Sequence, residues 1–163
     1  MTRLSKKAVE RLAALGALLA GVCAVGVVHE RYEFGVNTTE SLSNWAYVVD
    51  REDRTPRRGE LVQFHPPANP YYPTSAKFVK RVVGVPGDLV EARGREFYVA
   101  GRFVGRAKER SRMGDEAPLG PVGVIPAGQY FVVGDHTDSF DSRYAHMGWI
   151  SAARIQGVAR PVL

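Results

Sequence analysis

From Leu12 to Val28 the chain reads LAALGALLAGVCAVGVV, without one charged residue. Such a run cannot lie open to water, so either lipid or protein has to cover it. As a helix, at about 1.5 Å per residue, it would span roughly 26 Å, a little short of a hydrocarbon core about 30 Å thick. Local thinning or a snorkelling Arg11 makes up the difference. No polar stripe interrupts the run, which argues against a half-exposed core helix. Arg3, Lys6, Lys7 and Arg11 lie on its N-terminal side, whereas HERYEFG on the other side is nearly balanced in charge. The positive-inside rule keeps the N-terminus in the cytoplasm and exports the rest. The expected layout is a cytoplasmic N-terminus and transmembrane signal anchor over 1–31, then one exported domain over 32–163. That makes a single-pass protein of the inner (cytoplasmic) membrane, with its domain on the periplasmic or extracytoplasmic side. A cleaved signal peptide is the competing reading, since small residues such as Ala20 and Ala24 lie near the end of the run. Lipid attachment at Cys23 fits poorly, because Val22 stands where a small residue is wanted.

After this run the pattern changes to short apolar stretches punctuated by Gly and Pro. WAYVVD (Trp45–Asp50), ELVQFHP (Glu60–Pro66), KFVKRVVGV (Lys77–Val85) and GQYFVVGD (Gly128–Asp135) read as strands. DLVEA and REFYVA read as a hairpin through Arg93-Gly94, with RFVGR following Gly101, and ARIQGVARPVL closes the chain. No sustained helical period occurs beyond residue 30. The expected fold class is mainly β: an antiparallel domain behind one N-terminal transmembrane helix. Ala107–Gly120, AKERSRMGDEAPLG, has few apolar anchors and reads as a solvated loop. A single cysteine excludes an intrachain disulfide, and four scattered histidines match no metal-binding spacing, so neither a metal nor a cofactor is expected. The net charge of +5 is compatible with an anionic membrane surface or a nucleic acid and specifies neither.

FVKRVV places two cations inside a strand that otherwise looks buried. Alternation sends Lys80 and Arg81 to opposite faces, and Lys80 shares its face with Phe78 and Val82. An exposed lysine, with a pKa of about 10.4, is protonated at neutral pH; burial among apolar side chains can lower that value by up to ~3–5 units. A neutral lysine can then take a proton from a weak nucleophile such as serine. The bland alternative is an edge lysine with its tip in water. Arg81 would have a structural role, pairing with an acid such as Asp88 or Asp141, or simply being solvated.

Four patches, NTTESLSNW (Asn37–Trp45), RRGELVQF (Arg57–Phe64), KRVVGVPGD (Lys80–Asp88) and GDHTDSFDSRYAHMGWI (Gly134–Ile150), resemble in order and content the type I signal peptidases, membrane-bound serine–lysine proteases. The short form of the last patch looks most like their conjugative-transfer branch, the TraF-like maturation peptidases. The resemblance implies an antiparallel β domain of the signal-peptidase and LexA-like type. It implies Ser41 as nucleophile, Lys80 as general base, and an oxyanion hole from the Ser41 N–H and the Thr39 hydroxyl. Ser139 would bond the lysine, with Asp141 and Arg143 bracing the site. Ser43 stands where the family has proline, which leaves it a rival to Ser41. Leu42 would anchor the loop on apolar surface or membrane. Thr39 has an alternative role in a turn, and the Asp/Ser/Arg cluster could be a capped loop with a surface ion pair. A Ser/His/Asp triad through His136 and Asp138 would leave the lysine stretch without a role.

The implied partners are the lipid bilayer and an exported precursor protein such as a pilin, within a conjugation or secretion complex. No nucleic acid is expected, because no helix-turn-helix stands before the catalytic part as it does in the related self-cleaving repressors. A general signal peptidase and a non-catalytic membrane-anchored scaffold are the alternative functions.

Overall fold

A computed structural model describes residues 6–36, 42–43 and 46–162; the side chains of 8–14 and 24 also fall outside the description. The apolar run lies within one helix, α1 (Lys6–Arg31). Among the described residues, no helix is long and apolar enough to cross a membrane. Where α1 ends, the Arg31 carbonyl accepts a hydrogen bond from the Arg51 N–H, and the Arg31 guanidinium pairs with the buried Asp50 at 3.0 Å.

Strand β1 (Tyr32–Val36) follows directly and pairs with β2 (Ala46–Asp50). Then come β3 (Leu61–Phe64), β4 (Phe78–Gly84), β5 (Leu89–Arg93), β6 (Glu96–Val99), β7 (Arg102–Arg106), β8 (Gly123–Val124), β9 (Gln129–Val133), β10 (Ile150–Ser151) and β11 (Ile155–Pro161). They form an antiparallel seven-stranded sheet, ordered β1-β2-β11-β3-β4-β9-β10, and a four-stranded one, ordered β7-β6-β5-β8. The mainly antiparallel β expectation holds. The two-residue strands β8 and β10 carry too little pattern to read from sequence.

The topology explains why ELVQF departs from simple alternation. Strand β3 is clamped between β11 and β4, and all four of its residues are buried, Gln63 included. On one face Val62, Phe64, Val82, Val132 and Ile155 form a core; on the other Leu42, Tyr47, Val49, Leu61 and Ala159 form a second one, with Val79 packed against it. A third core, of Val90, Phe97, Val99, Ile125, Phe131 and Val133, joins strands of both sheets. Strand β4 enters that third core through Gly84, beside a bulge in its pairing with β9. A Cβ there would come within 2.5 Å of Ile125 Cδ1 and 2.9 Å of Phe131 Cβ, so glycine is required by space. The VPGD turn then sends the chain into the smaller sheet. Pro86 and Gly87 occupy its central positions, Gly87 has φ +90°, and the Asp88 N–H bonds the Val85 carbonyl at 3.1 Å, as a type II turn demands.

Candidate active site

Lys80 sits in the middle of β4, opposite Val62 on β3 and in line with Phe78 and Val82. It is 3 % exposed. Its Nζ donates to Ser139 Oγ at 2.7 Å and lies 5.7 Å from the centre of the Phe78 ring. Burial pushes the ammonium down from 10.5 to about 8; Asp141 and Asp135 oppose the shift, and Arg143 adds to it.

Asp141 would be expected to keep the lysine charged, and its surroundings show what limits that influence. The carboxylate is fully buried and accepts from Arg143 Nε and Nη2 at 2.8 Å each, from the Arg143 N–H at 3.2 Å and from the Gly134 N–H at 3.0 Å. Its charge is met at close range by the fork of Arg143. Arg143 is itself 3 % exposed and gives a further bond to the Arg106 carbonyl at 3.1 Å. Gly105 leaves room for the guanidinium, since a Cβ there would come within 2.7 Å of Nη1. The segment carrying these residues is latched to β9: Ser142 Oγ accepts from the Val132 N–H, and the Ser142 N–H returns a bond to the Val132 carbonyl, both at 3.0 Å. Ser139 is fixed by a turn in which its N–H bonds the His136 carbonyl at 3.1 Å.

Four of the residues named from sequence are therefore buried as two bonded pairs, Lys80 with Ser139 and Asp141 with Arg143, the second pair close enough to act on the charge of the first. Thr39 and Ser41 lie outside the described residues. Their neighbours Leu42 and Ser43 are described: Leu42 is buried in the core that includes Val79, and Ser43 is exposed. Arg81 does pair with an acid, though neither of the two named from sequence. It pairs with Asp135 at 3.3 Å, because Asp88 is engaged by Arg58 and Asp141 by Arg143. In the alternative His136–Asp138 pairing, the Asp138 N–H donates to His136 Nδ1 at 3.1 Å, and the Asp138 carboxylate pairs with Lys108 and Arg112. Among the described residues no group of three or more His, Cys, Asp or Glu gathers to hold a metal.

Lys80 faces a cleft whose far side is β1, through Glu33, Gly35 and Val36. Glu33 is the hub of that rim, accepting from Lys77 Nζ and Arg51 Nη2 at 2.6 Å each. Burial alone would raise its carboxyl, but these hydrogen bonds outweigh burial and hold it at about 2. The sequence reading missed a second feature. Tyr71, Tyr72, Phe78 and Phe140 form a cluster of rings beside Lys80, with Tyr72 and Phe140 stacked at 5.8 Å. The adjacent tyrosines of NPYYP were the available signal. The loop Ala107–Gly120, read as solvated, is mostly exposed, and its ends are tied down: Ala107 is buried, and Leu119 bridges to Tyr144.

Residues 6–163 match the family model described as signal peptidase, peptidase S26. Signal peptidase I T of Bacillus subtilis is 32% identical over 152 residues, covering 88% of this chain and 70% of that protein. A probable signal peptidase I-2 of Synechocystis is 35% identical over 112 residues, 65% of this chain and 47% of that protein. Signal peptidase I of Bacillus amyloliquefaciens is 36% identical over 92 residues, 51% and 47% of the two chains. The chain thus spans about half the length of several curated relatives it matches. A solved signal peptidase I from Enterococcus faecalis aligns at 27% identity with a TM-score of 0.44, covering 65% of this chain and 97% of that one; at that score it adds nothing to the fold described above. With the family model matched along almost the whole chain, this protein belongs to the S26 family of signal peptidases.

Proposed function

We propose that the chain is a membrane-anchored serine–lysine endopeptidase that processes exported precursor proteins. The observation that carries this reading is Lys80: nearly inaccessible, shifted toward neutrality, and held by Ser139 at the floor of a cleft. In this reading Ser41 Oγ attacks the scissile carbonyl as its proton passes to Lys80 Nζ. The Ser41 N–H and Thr39 hydroxyl hold the resulting oxyanion. Lys80 then gives the proton to the departing amine, and water repeats the sequence on the acyl-enzyme. Ser139 orients the Lys80 lone pair, and the Asp141–Arg143 pair braces the segment that carries Ser139. Ser41 is preferred to Ser43 because the resembled family has its serine just before a Met or Leu, here Leu42, which is buried in the core that includes Val79, whereas Ser43 is exposed.

Residues 1–31 serve as a single-pass anchor with the N-terminus in the cytoplasm, and residues 32–163 as the peptidase domain outside it. The substrate is a pilin or another conjugative-transfer precursor, and the compact GDHTDSFDSRY patch favours this dedicated role. The names of the relatives favour general removal of secretory signal peptides instead. Co-expression with a pilin precursor or a secretory preprotein tests both readings. Wild type should mature the first faster, and Ser41→Ala and Lys80→Ala should mature neither. Equal or faster maturation of the preprotein selects the general role. Normal processing by Ser41→Ala with a dead Ser43→Ala moves the nucleophile to Ser43. Normal processing by all three variants removes the enzyme.

A further inference from the structure

A second cleft, of about 220 Å³, opens beside Ser139. Tyr72, Arg112, Asp138, Ser139 and Phe140 line both this cleft and the one that contains Lys80, so the two adjoin. The second cleft is walled by aromatic rings. Tyr71 meets Phe140 edge-on at 5.6 Å and His146 at 6.0 Å, and Phe140 stacks with Tyr144 at 6.4 Å. Among the described residues, Lys108, Arg110 and Arg112 line the cleft with one carboxylate, Asp138, and Glu116 lies across a strand bridge from Arg110. Asp138 already pairs with both Lys108 and Arg112. Arg110 bonds the Gly114 carbonyl at 2.9 Å and has no carboxylate partner among the described residues.

A ring-lined recess with the Arg110 guanidinium at its mouth is complementary to an aromatic side chain beside a carboxylate. The ring gains edge and face contacts, and the acid meets a guanidinium that it can engage with two hydrogen bonds. We infer that this cleft is a specificity site for the polypeptide substrate, taking an aromatic residue next to Asp or Glu a few residues from the scissile bond. The inference rests on the peptidase reading for the identity of its occupant. Neither Arg110 nor Tyr71 touches Lys80 or Ser139 in the bonded pairs described above, so the site acts on binding and leaves the proton transfer alone.

The test uses the full chain in detergent and two fluorescein-labelled peptides of the same length. One carries Phe-Glu near a small-residue cleavage site, and the other carries Ala-Gln at the same positions. Anisotropy is read on the Lys80→Ala protein, so that binding is scored without turnover. Cleavage is read on the wild type, with Arg110→Glu and Tyr71→Ala as variants. The Phe-Glu peptide should bind about five- to tenfold more tightly and be cleaved with a correspondingly lower KM, at a kcat within about twofold. Arg110→Glu should abolish the advantage of Glu, and Tyr71→Ala that of Phe. Equal binding of the two peptides, or an advantage untouched by Arg110→Glu, overturns the inference. Preferential binding without cleavage of either peptide supports the cleft and counts against the peptidase reading, so the two claims fail separately.

Discussion

Replacing Lys80 by methionine should make the protein more stable, and only on the acid side of pH 10. In the folded protein the ammonium titrates at about 8, against 10.5 when free. Below pH 8 the folded state holds a charge it would rather lose, which works against folding. At about 1.4 kcal/mol per pKa unit the penalty is about 3 kcal/mol at pH 7, about 2 kcal/mol at pH 9 and below about 0.5 kcal/mol at pH 10.5. Methionine has a similar length and no charge, and the walls it would meet are Phe78, Val82 and Val62. Against the gain stands the lost bond to Ser139, about 1 kcal/mol. The net expectation at pH 7 is a gain of about 2 kcal/mol, fading through zero as the pH approaches 10.5. Urea unfolding of both proteins in the same detergent, followed by tryptophan fluorescence from pH 7 to 10.5, measures the difference directly. Other titrating groups cancel in the comparison. A variant less stable at pH 7 by an amount that does not change with pH would refute the reasoning: Lys80 would then be an ordinary packing residue with a solvated tip. Stability given up at this position is what a functional lysine predicts, since a structural one has no reason to stay buried and charged.

Gly84→Ala forces a methyl between Ile125 and Phe131, and should lower stability by about 1–3 kcal/mol in thermal unfolding; an unchanged melting temperature would mean that β4 does not enter the core as described. Arg143→Gln leaves Asp141 buried without its charge partner. A loss of about 3–5 kcal/mol is expected, together with an upward move of the activity midpoint, because Arg143 lowers the Lys80 pKa; Arg143→Lys should show both effects in weaker form. Glu33 is held ionised down to about 2, below its ordinary 4.5, so its contribution to stability is present above pH 4.5 and lost as the pH falls through about 2. Glu33→Gln should therefore flatten the acid limb of the stability curve, and an acid limb identical to wild type would show that the rim is not coupled to folding.

How much of this was legible in the sequence depended on distance along the chain. Strands β2, β4, β9 and β11 were readable because each carries its own apolar pattern, and the VPGD turn because Pro and Gly fix dihedrals locally. The burial of Gln63 was not, since it follows from β11 and β4 closing on both sides of β3, and β11 is the last strand of the chain. Lys80 could be singled out because a cation between valines contradicts local burial. Its contact with Ser139 came from likeness to a family, as no local rule links residues that far apart. The partner of Arg81 was not legible for the same reason: alternation gave its face, but which acid remains available depends on Arg58 and Arg143 engaging Asp88 and Asp141. The ring-lined cleft was missed because it is assembled from three segments, none of which is aromatic enough alone. Ser41 and Thr39 were named from the sequence and lie outside the described residues.

The central claim is that Lys80 works as a neutral base. The most direct test is the pH dependence of kcat/KM for cleavage of a precursor peptide by the wild-type protein. The account predicts a rise governed by one group with an apparent pKa of about 8 and no measurable cleavage by Lys80→Ala at any pH. A rise centred near 10.5, or a Lys80→Ala protein that cleaves with the same profile, would contradict it.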